Sequence, residues 1–211
     1  MNNKIITMSV GPVGTNAYIF YNEATHKGVL IDPGCEAEKI LNRIKSESLS
    51  ISAILLTHGH FDHIGAVNDV RQALNIPVYA TEKEAVIAND QKLNGTKFFG
   101  MAPMTASVDE FLVPDSEINL GCGILRILST PGHTHGSISI YSAAEKTLFS
   151  GDCMFRESYG RHDLPTSNFE SLKQSMMMLL KLPEDTEVYP GHGLPTTIGH
   201  EKIHNLIINE L

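Results

Sequence analysis

The sequence contains little cysteine, no long apolar run and fewer basic than acidic residues. Its cysteines, Cys35, Cys122 and Cys153, are odd in number and far apart, which suits free thiols in a reducing compartment better than a disulfide framework. The opening stretch MNNKIITMSVGP lacks the apolar core of a signal peptide, and no later run reaches the length of a membrane span. These features predict a cytoplasmic protein with no membrane partner.

The charge balance disfavours one class of partner. The chain has 16 lysines and arginines against 24 acidic residues, a formal charge of -8, and a negative protein has weak long-range attraction for the phosphate backbone of nucleic acids. Hydrophobic residues make up 42% and charged residues 19%, a mixture typical of globular proteins. The length of 211 residues suits one substantial core, and we predict a single domain over residues 1–211.

Strand and helix signals occur in two similar halves. The first half predicts strands in KIITMSV, NAYIFYN, KGVLIDPG, ISAILLT and IPVYAT, and helices over 36–45, in GAVNDVRQAL and in EKEAVIAND. Residues 92–108 are predicted to be irregular, and FFGMAPM within them either borders a substrate cleft or forms a subunit contact.

The second half predicts strands in EFLVP, GILRILST, SISIYSA, KTLFSGD and EVYP, a helix from about Asn168 and a last helix to Leu211. Ser167 and Glu170 have the spacing of a capping box at the start of the first of these helices. Two strand-rich halves with helices outside predict an α/β fold, a four-layer αββα sandwich.

The heptapeptide THGHFDH, residues 57–63, concentrates metal-binding side chains directly after a predicted buried strand. Loops at strand ends are where a rigid scaffold usually presents functional groups. His58 and His60 could hold one ion, and Asp62 and His63 could hold a second. Neither pair completes a metal site alone.

Three further candidates lie beside glycines after other predicted strands: His133 in STPGHTHGS, Asp152 in LFSGDCM and His192 in YPGHG. Any single histidine is more often structural or exposed than a ligand. The combination of H-x-H-x-D-H with three separate strand-end signals is hard to obtain from core packing, so the sequence predicts a metal centre.

These motifs resemble those of the metallo-β-lactamase superfamily, and within it the glyoxalase II branch, especially the short bacterial glyoxalase II-like hydrolases. The resemblance runs from GPVGTNAYI through GDCMFRESYGRHDLP to PGHGLPTTIGHE. It implies two divalent metal ions, with zinc expected and iron or manganese as alternatives, and a hydroxide held between them. By resemblance, the first ion is bound by His58, His60 and His133, the second by Asp62, His63 and His192, and Asp152 bridges both.

The resemblance also implies a reaction, the hydrolysis of a small-molecule thioester such as a hydroxyacyl-glutathione. Asp62 is the candidate catalytic residue, because it could orient the hydroxide in addition to binding metal. Long glyoxalase II enzymes continue into a helical domain that carries glutathione-binding residues, whereas this chain stops at Leu211, so recognition of glutathione stays open. The oligomeric state is not indicated.

Other reactions fit the same motifs. The chain also resembles persulfide dioxygenases of the same superfamily, and that resemblance implies a single iron held by His58, His133 and Asp152. Lactonase, β-lactamase and nuclease activities, and a metal-binding module without turnover, are weaker alternatives, and the acidic balance opposes the nuclease.

Several neighbouring residues are expected to serve the structure. His135 forms an H-x-H pair with His133 but is not expected to bind metal, and Cys153 is expected to pack. Arg161 either pairs with Asp163 or binds a substrate carboxylate, with the pair favoured. The run of methionines at 176–178 is expected to fill the core.

Overall fold

The first half of the chain forms one mixed sheet and four helices. The computed structural model describes residues 2–210. The strands lie side by side in chain order: β1 (Asn3–Val10), β2 (Thr15–Asn22), β3 (Lys27–Ile31), β4 (Ser50–Leu55), β5 (Val78–Ala80) and β6 (Glu110–Phe111). β1 to β3 pair antiparallel, and β3 to β6 pair parallel. The helices are α1 (Ala37–Ser46), α2 (Phe61–Ile64), α3 (Val67–Leu74) and α4 (Glu82–Asn89).

The second half forms another six-stranded sheet and a small hairpin. Its strands are β7 (Glu117–Asn119), β8 (Ile124–Ser129), β9 (Ile138–Ser142), β10 (Thr147–Gly151), β13 (Glu187–Pro190) and β14 (Thr196–Thr197), in the spatial order β14-β13-β10-β9-β8-β7. β11 (Met154–Phe155) and β12 (Ser158–Tyr159) form the hairpin. The helices are α5 (Phe169–Leu179), α6 (Ile198–His204) and a 3-10 helix, Leu206–Glu210. Within residues 2–210, no helix is long and apolar enough to cross a bilayer.

Three hydrophobic clusters separate four layers. Side chains alternate between the two faces of a strand, and β2 shows this directly, since Ile19 packs with the helices of the first half whereas Phe20 packs between the sheets. The middle cluster joins Phe20 to Ile127 and Phe149 of the second sheet. The third cluster packs Leu172 of α5 and its neighbours on the outer face of that sheet. The predicted αββα sandwich is therefore confirmed.

Two local predictions were wrong. Asn168, not Ser167, is the N-cap of α5, because its side chain accepts a hydrogen bond from Ser171 N at 2.8 Å. The Ser167 hydroxyl instead donates to His133 O at 2.6 Å. The last helix ends at His204 instead of continuing to the terminus, because the Asn205 side chain turns the backbone by accepting from Ile207 N and donating to Ser158 O. Leu211, the predicted end, lies outside the described residues.

Pairs of parallel strands bring distant parts of the chain to one edge. β3 and β4 are parallel neighbours, as are β10 and β13, and parallel neighbours end at the same edge of their sheet. Backbone hydrogen bonds then join the two sheets there, from Asn16 N to Gly191 O at 2.7 Å and from Ile138 N to Thr57 O at 3.0 Å. All the predicted metal-binding residues follow strands that end at this edge.

Candidate metal centre

Three histidines from the two sheets form a first donor set. His58 and His60 follow β4, and His133 follows β8; all three side chains are buried. Their rings are nearly perpendicular to one another, with centroids 4.6 to 4.9 Å apart. One ligand atom from each lies within 4.8 Å of the others, so this set could hold one metal ion.

Asp62, His63 and His192 form a second donor set with the same mutual spacing. Asp62 and His63 lie in the single turn α2, and His192 follows β13. Asp62 Oδ2 lies 3.1 Å from His192 Nε2 and 3.7 Å from His63 Nε2. The Thr15 hydroxyl donates to the same oxygen at 3.1 Å.

Asp152 lies between the two sets. Its Oδ1 is 3.4 Å from His63 Nε2, and its Oδ2 is 3.6 Å from both His133 Nε2 and His192 Nε2. A side chain at Gly191 would collide with this carboxylate, since a Cβ built there lies 2.1 Å from Asp152 Oδ1. The glycine in YPGHG therefore provides the space in which the carboxylate faces both sets.

Asp32 orients two histidines, and sequence reasoning missed it. His63 Nδ1 lies 3.0 Å from Asp32 Oδ2, and the Thr57 hydroxyl donates to the same oxygen at 2.6 Å. Because that hydroxyl has only one hydrogen, it accepts from His58 Nδ1, which lies 3.1 Å away. Both histidines are thus fixed as Nδ1–H tautomers with Nε2 directed to the site, as outer hydrogen-bond partners do at metal sites.

The same contacts exclude Asp32 from a third possible donor set. Asp32, His58 and His63 also have ligand atoms within 4.8 Å of one another, but the Asp32 carboxylate is engaged by Thr57 N, the Thr57 hydroxyl and His63 Nδ1. Asp32 therefore serves as an orienting group. His133 is oriented similarly, since its Nδ1 lies 2.8 Å from Arg161 O and so donates to that carbonyl.

The buried donors fit divalent metal ions. Among the residues of the two donor sets and Asp152, four buried atoms have no hydrogen-bond partner: His58 Nε2, His60 Nε2, His63 Nε2 and Asp152 Oδ1. A buried polar atom left unpaired costs roughly 1–3 kcal/mol, so a cluster of such atoms on these residues fits a bound cation. Imidazole nitrogens with carboxylate oxygens are ligands that zinc, iron and manganese accept.

The electrostatics of the protein alone also favour a cation here. Burial lowers the pKa of His58 well below its usual range and that of His60 to about 3, so both rings are neutral. Burial would also lower the pKa of His63, but the carboxylates of Asp62, Asp152 and Asp32 raise it well above its usual range. Without metal, the acidic cluster is therefore balanced by a proton on His63.

A cavity of about 540 Å³ opens over the centre, a volume typical of small-molecule sites. Asp62, His133, Asp152 and His192 lie at its base. Its walls are mainly apolar and are formed by Val13, Phe61, Phe99, Met101, Phe155 and Leu164. FFGMAPM therefore borders the cleft, the first of the two predicted alternatives.

The predicted supporting roles of Arg161 and Cys153 are confirmed. Arg161 Nε and Nη2 donate to the two Asp163 oxygens at 2.7 and 2.9 Å, and its guanidinium lies over the Phe99 ring at 5.6 Å. Cys153 is buried in the third cluster. His135 is exposed and joins none of the donor sets of residues 2–210. The methionine prediction holds for Met176, which is fully buried, but not for Met177, which is 43% exposed.

Comparisons with known proteins agree with this geometry. The model of the metallo-beta-lactamase superfamily matches residues 10–192. Probable metallo-hydrolase YqgX of Bacillus subtilis (strain 168) is 41% identical over 204 residues, covering 96% of each chain. Hydroxyacylglutathione hydrolase GloC of Haemophilus influenzae (strain ATCC 51907 / DSM 11121 / KW20 / Rd) is 35% identical over 217 residues, covering 99% of each chain.

Solved structures show the same fold. The crystal structure of BLEG-1 B3 metallo-beta-lactamase superposes with a TM-score of 0.93 at 41% identity, covering 97% of this chain and 99% of that one. The crystal structure of TTHA1623 in a di-iron-bound form gives a TM-score of 0.87 at 37% identity, covering 95% of this chain and 98% of that one. The chain therefore belongs to the metallo-beta-lactamase superfamily, and it is a metallo-hydrolase of that superfamily.

Proposed function

We propose that the protein hydrolyses an acyl thioester, such as a hydroxyacyl-glutathione, with two divalent metal ions, and that these ions are zinc. His58, His60 and His133 would hold the first ion, Asp62, His63 and His192 the second, and Asp152 would contact both. The observation that carries the proposal is the position of the Asp152 carboxylate, whose oxygens lie 3.4 to 3.6 Å from histidine nitrogens of both donor sets.

The metal ions and the protein have separate tasks in such a reaction. Two divalent ions side by side lower the pKa of water and polarise a substrate carbonyl, so no protein nucleophile is required. Asp62 borders the cavity, and Thr15, His63 and His192 all lie against its Oδ2. The other oxygen, Oδ1, can accept a proton from the attacking water and orient it.

The cavity walls support an acyl substrate. Phe61, Phe99 and Phe155 surround the approach to Asp152, and apolar walls both bind an acyl chain and exclude bulk water from the reacting carbonyl. The likeness to a hydroxyacylglutathione hydrolase supports a thioester as the reacting group. The three cysteines are free thiols, which supports the proposal that the protein works in a reducing compartment such as the cytoplasm.

A second candidate is persulfide dioxygenase chemistry at one iron. It is favoured by the convergence of His58, His133 and Asp152, since Asp152 Oδ2 lies 3.6 Å from His133 Nε2 and the His58 and His133 rings are 4.9 Å apart. Such a site would leave the second donor set without a role. The buried, unpartnered Nε2 of His63 therefore favours the dinuclear hydrolase.

The test combines metal analysis with two assays on one preparation. We expect two metal ions per chain and hydrolysis of hydroxyacyl-glutathione or another acyl thioester in a panel that includes coenzyme A and N-acetylcysteamine esters. Asp152→Asn should abolish the activity, whereas Asp109→Asn, which alters a carboxylate paired with Arg71 away from the centre, should retain it. Oxygen consumption with glutathione persulfide by an iron-containing preparation would support the dioxygenase, and inactivity on every thioester would refute the hydrolase.

A further inference from the structure

Glu84 is a fully buried carboxylate outside both donor sets. It lies in the first turn of α4, and its side chain accepts three hydrogen bonds. Oε2 accepts from Gly59 N at 2.7 Å, and Oε1 accepts from the Thr134 hydroxyl at 2.7 Å and from Gly136 N at 2.9 Å. Charged side chains are rarely buried unless they are paired or fully hydrogen-bonded.

The three donors belong to the two loops that carry the first donor set. Gly59 lies between His58 and His60, and Thr134 follows His133. One loop leaves the first sheet after β4, and the other leaves the second sheet after β8. The carboxylate of Glu84 therefore joins two loops whose histidines must stand at a fixed separation to share one ion.

Packing of the same loops against α4 leaves little space for adjustment. A Cβ at Gly59 would lie 2.7 Å from Glu84 O and Ala88 N, so the loop backbone rests directly on the helix. On the other side, the Thr81 hydroxyl, which caps α4, donates to Gly136 O at 2.9 Å. Both loops are thus held by the first turns of one helix.

A buried glutamate can also be purely structural, and the chain contains such a case for comparison. Glu201 of α6 is fully buried and accepts from the Thr196 hydroxyl at 2.6 Å, from Asn205 Nδ2 at 2.6 Å and from Glu157 N at 2.8 Å. None of these three donors adjoins a residue of either donor set. The two glutamates therefore share burial and bonding, and only Glu84 is attached to the histidine loops.

We propose that Glu84 is a positioning residue that sets the separation of His58 and His60 from His133 and thereby the affinity of the first donor set for its metal ion. It neither binds the ion nor contacts substrate. The inference relies on the metal centre of the proposed function but not on the thioester reaction.

The decisive variant is Glu84→Gln. A carboxylate accepts at both oxygens, whereas an amide accepts at one end and donates at the other. In the variant, either Gly59 or the Thr134 and Gly136 pair loses its acceptor. The loop that carries the affected donor then loses its hydrogen bonds to residue 84. Glu201→Gln makes the same change at the matched position of α6.

Zinc affinity should be measured by competition with a chromophoric chelator, in the wild type and in a His192→Ala background that disables the second set. We expect Glu84→Gln to weaken binding to the first set by about 10–100-fold, as loss of an outer partner does at other sites. Glu201→Gln should lower the melting temperature without changing zinc affinity. Thr134→Val, which removes one donor, should weaken the first set severalfold and provides the test if Glu84→Gln does not fold.

Two outcomes would overturn the inference. The first is a folded Glu84→Gln variant whose first donor set binds zinc as tightly as in the wild type; if Glu84→Gln does not fold, the same result in Thr134→Val counts instead. The second is a Glu201→Gln variant that weakens zinc binding as much as Glu84→Gln does. The proposed function fails on a different result. If the wild-type protein bound zinc but hydrolysed no thioester, the hydrolase would be refuted, and the expected effect of Glu84→Gln on zinc affinity would be unchanged.

Discussion

His63 Nδ1 lies 3.0 Å from Asp32 Oδ2, and both side chains are buried. This contact fixes the tautomer in which His63 Nε2 faces the second donor set. Asp32→Asn preserves the shape, and asparagine tolerates the φ of 49° at this position, but the amide cannot accept at both ends. We expect zinc binding to the second set to weaken by about 10–100-fold and the free energy of unfolding to fall by about 1–3 kcal/mol.

Chelator competition and urea denaturation would measure these two effects. The control is Asp109→Asn, because Asp109 also accepts from a backbone N–H, that of Val78 at 2.9 Å, but belongs to no donor set. If Asp32→Asn lowered stability while second-set affinity stayed at the wild-type value, Asp32 would have no orienting role.

Asp62→Asn should separate metal binding from turnover. The substitution removes the charge and leaves one oxygen able to contact His192 and Thr15, whose present distances to Oδ2 are both 3.1 Å. The first donor set contains no atom of Asp62. We therefore expect kcat to fall by on the order of 100-fold, as for loss of a proton acceptor, with the first ion retained. Elemental analysis beside steady-state kinetics is the measurement, and a strictly proportional fall of metal content and kcat would contradict the orienting role.

The seven candidate ligands could be predicted because each stands in a short strand-end motif, whereas their supporting residues could not be identified as easily. Asp32 has a weak signal, since it stands near the end of the predicted strand KGVLIDPG, at the edge where the parallel neighbour β4 also ends. Glu84 has no such signal, because the predicted helix EKEAVIAND contains three acidic residues, in its first, third and last positions, and only tertiary packing decides which one is buried.

Helix ends were less predictable than the layers for a related reason. Ser167 and Asn168 are both good capping residues, and the choice depends on a distant partner, because His133 O engages the Ser167 hydroxyl. The αββα layers depend instead on alternating apolar positions repeated along many strands, such as Ile19 and Phe20, which is a local and redundant signal.

Phe99→Ala should test the apolar wall of the cavity. Phe99 borders the cavity and packs on Phe61, with ring centroids 5.4 Å apart, while 43% of its surface stays exposed. Loss of a partial apolar contact of about 1 kcal/mol should raise KM for a long-chain acyl thioester about fivefold and leave kcat nearly unchanged. Phe111→Ala is the control, because Phe111 is 59% exposed on β6 and does not border this cavity. An equal effect of both substitutions, or none from Phe99→Ala, would exclude the wall from substrate binding.

Glu84 should give the metal-free protein a characteristic pH dependence. Burial raises the pKa of this carboxyl from 4.5 to about 7, despite hydrogen bonds from Thr134, Gly59 and Gly136 that lower it. Between these pH values the folded protein keeps a proton that the unfolded chain releases, so the contribution of Glu84 to the free energy of unfolding falls as pH rises. One pKa unit corresponds to about 1.4 kcal/mol, and the shift from 4.5 to about 7 therefore corresponds to about 3 kcal/mol. Glu84→Gln lacks this titration. The free energy of unfolding of the variant should therefore fall furthest below that of the wild type near pH 4.5, and the difference should be smaller by about 3 kcal/mol near pH 7. Urea denaturation of both proteins with chelator across this range is the measurement, and parallel stability curves would show that Glu84 is ionised throughout.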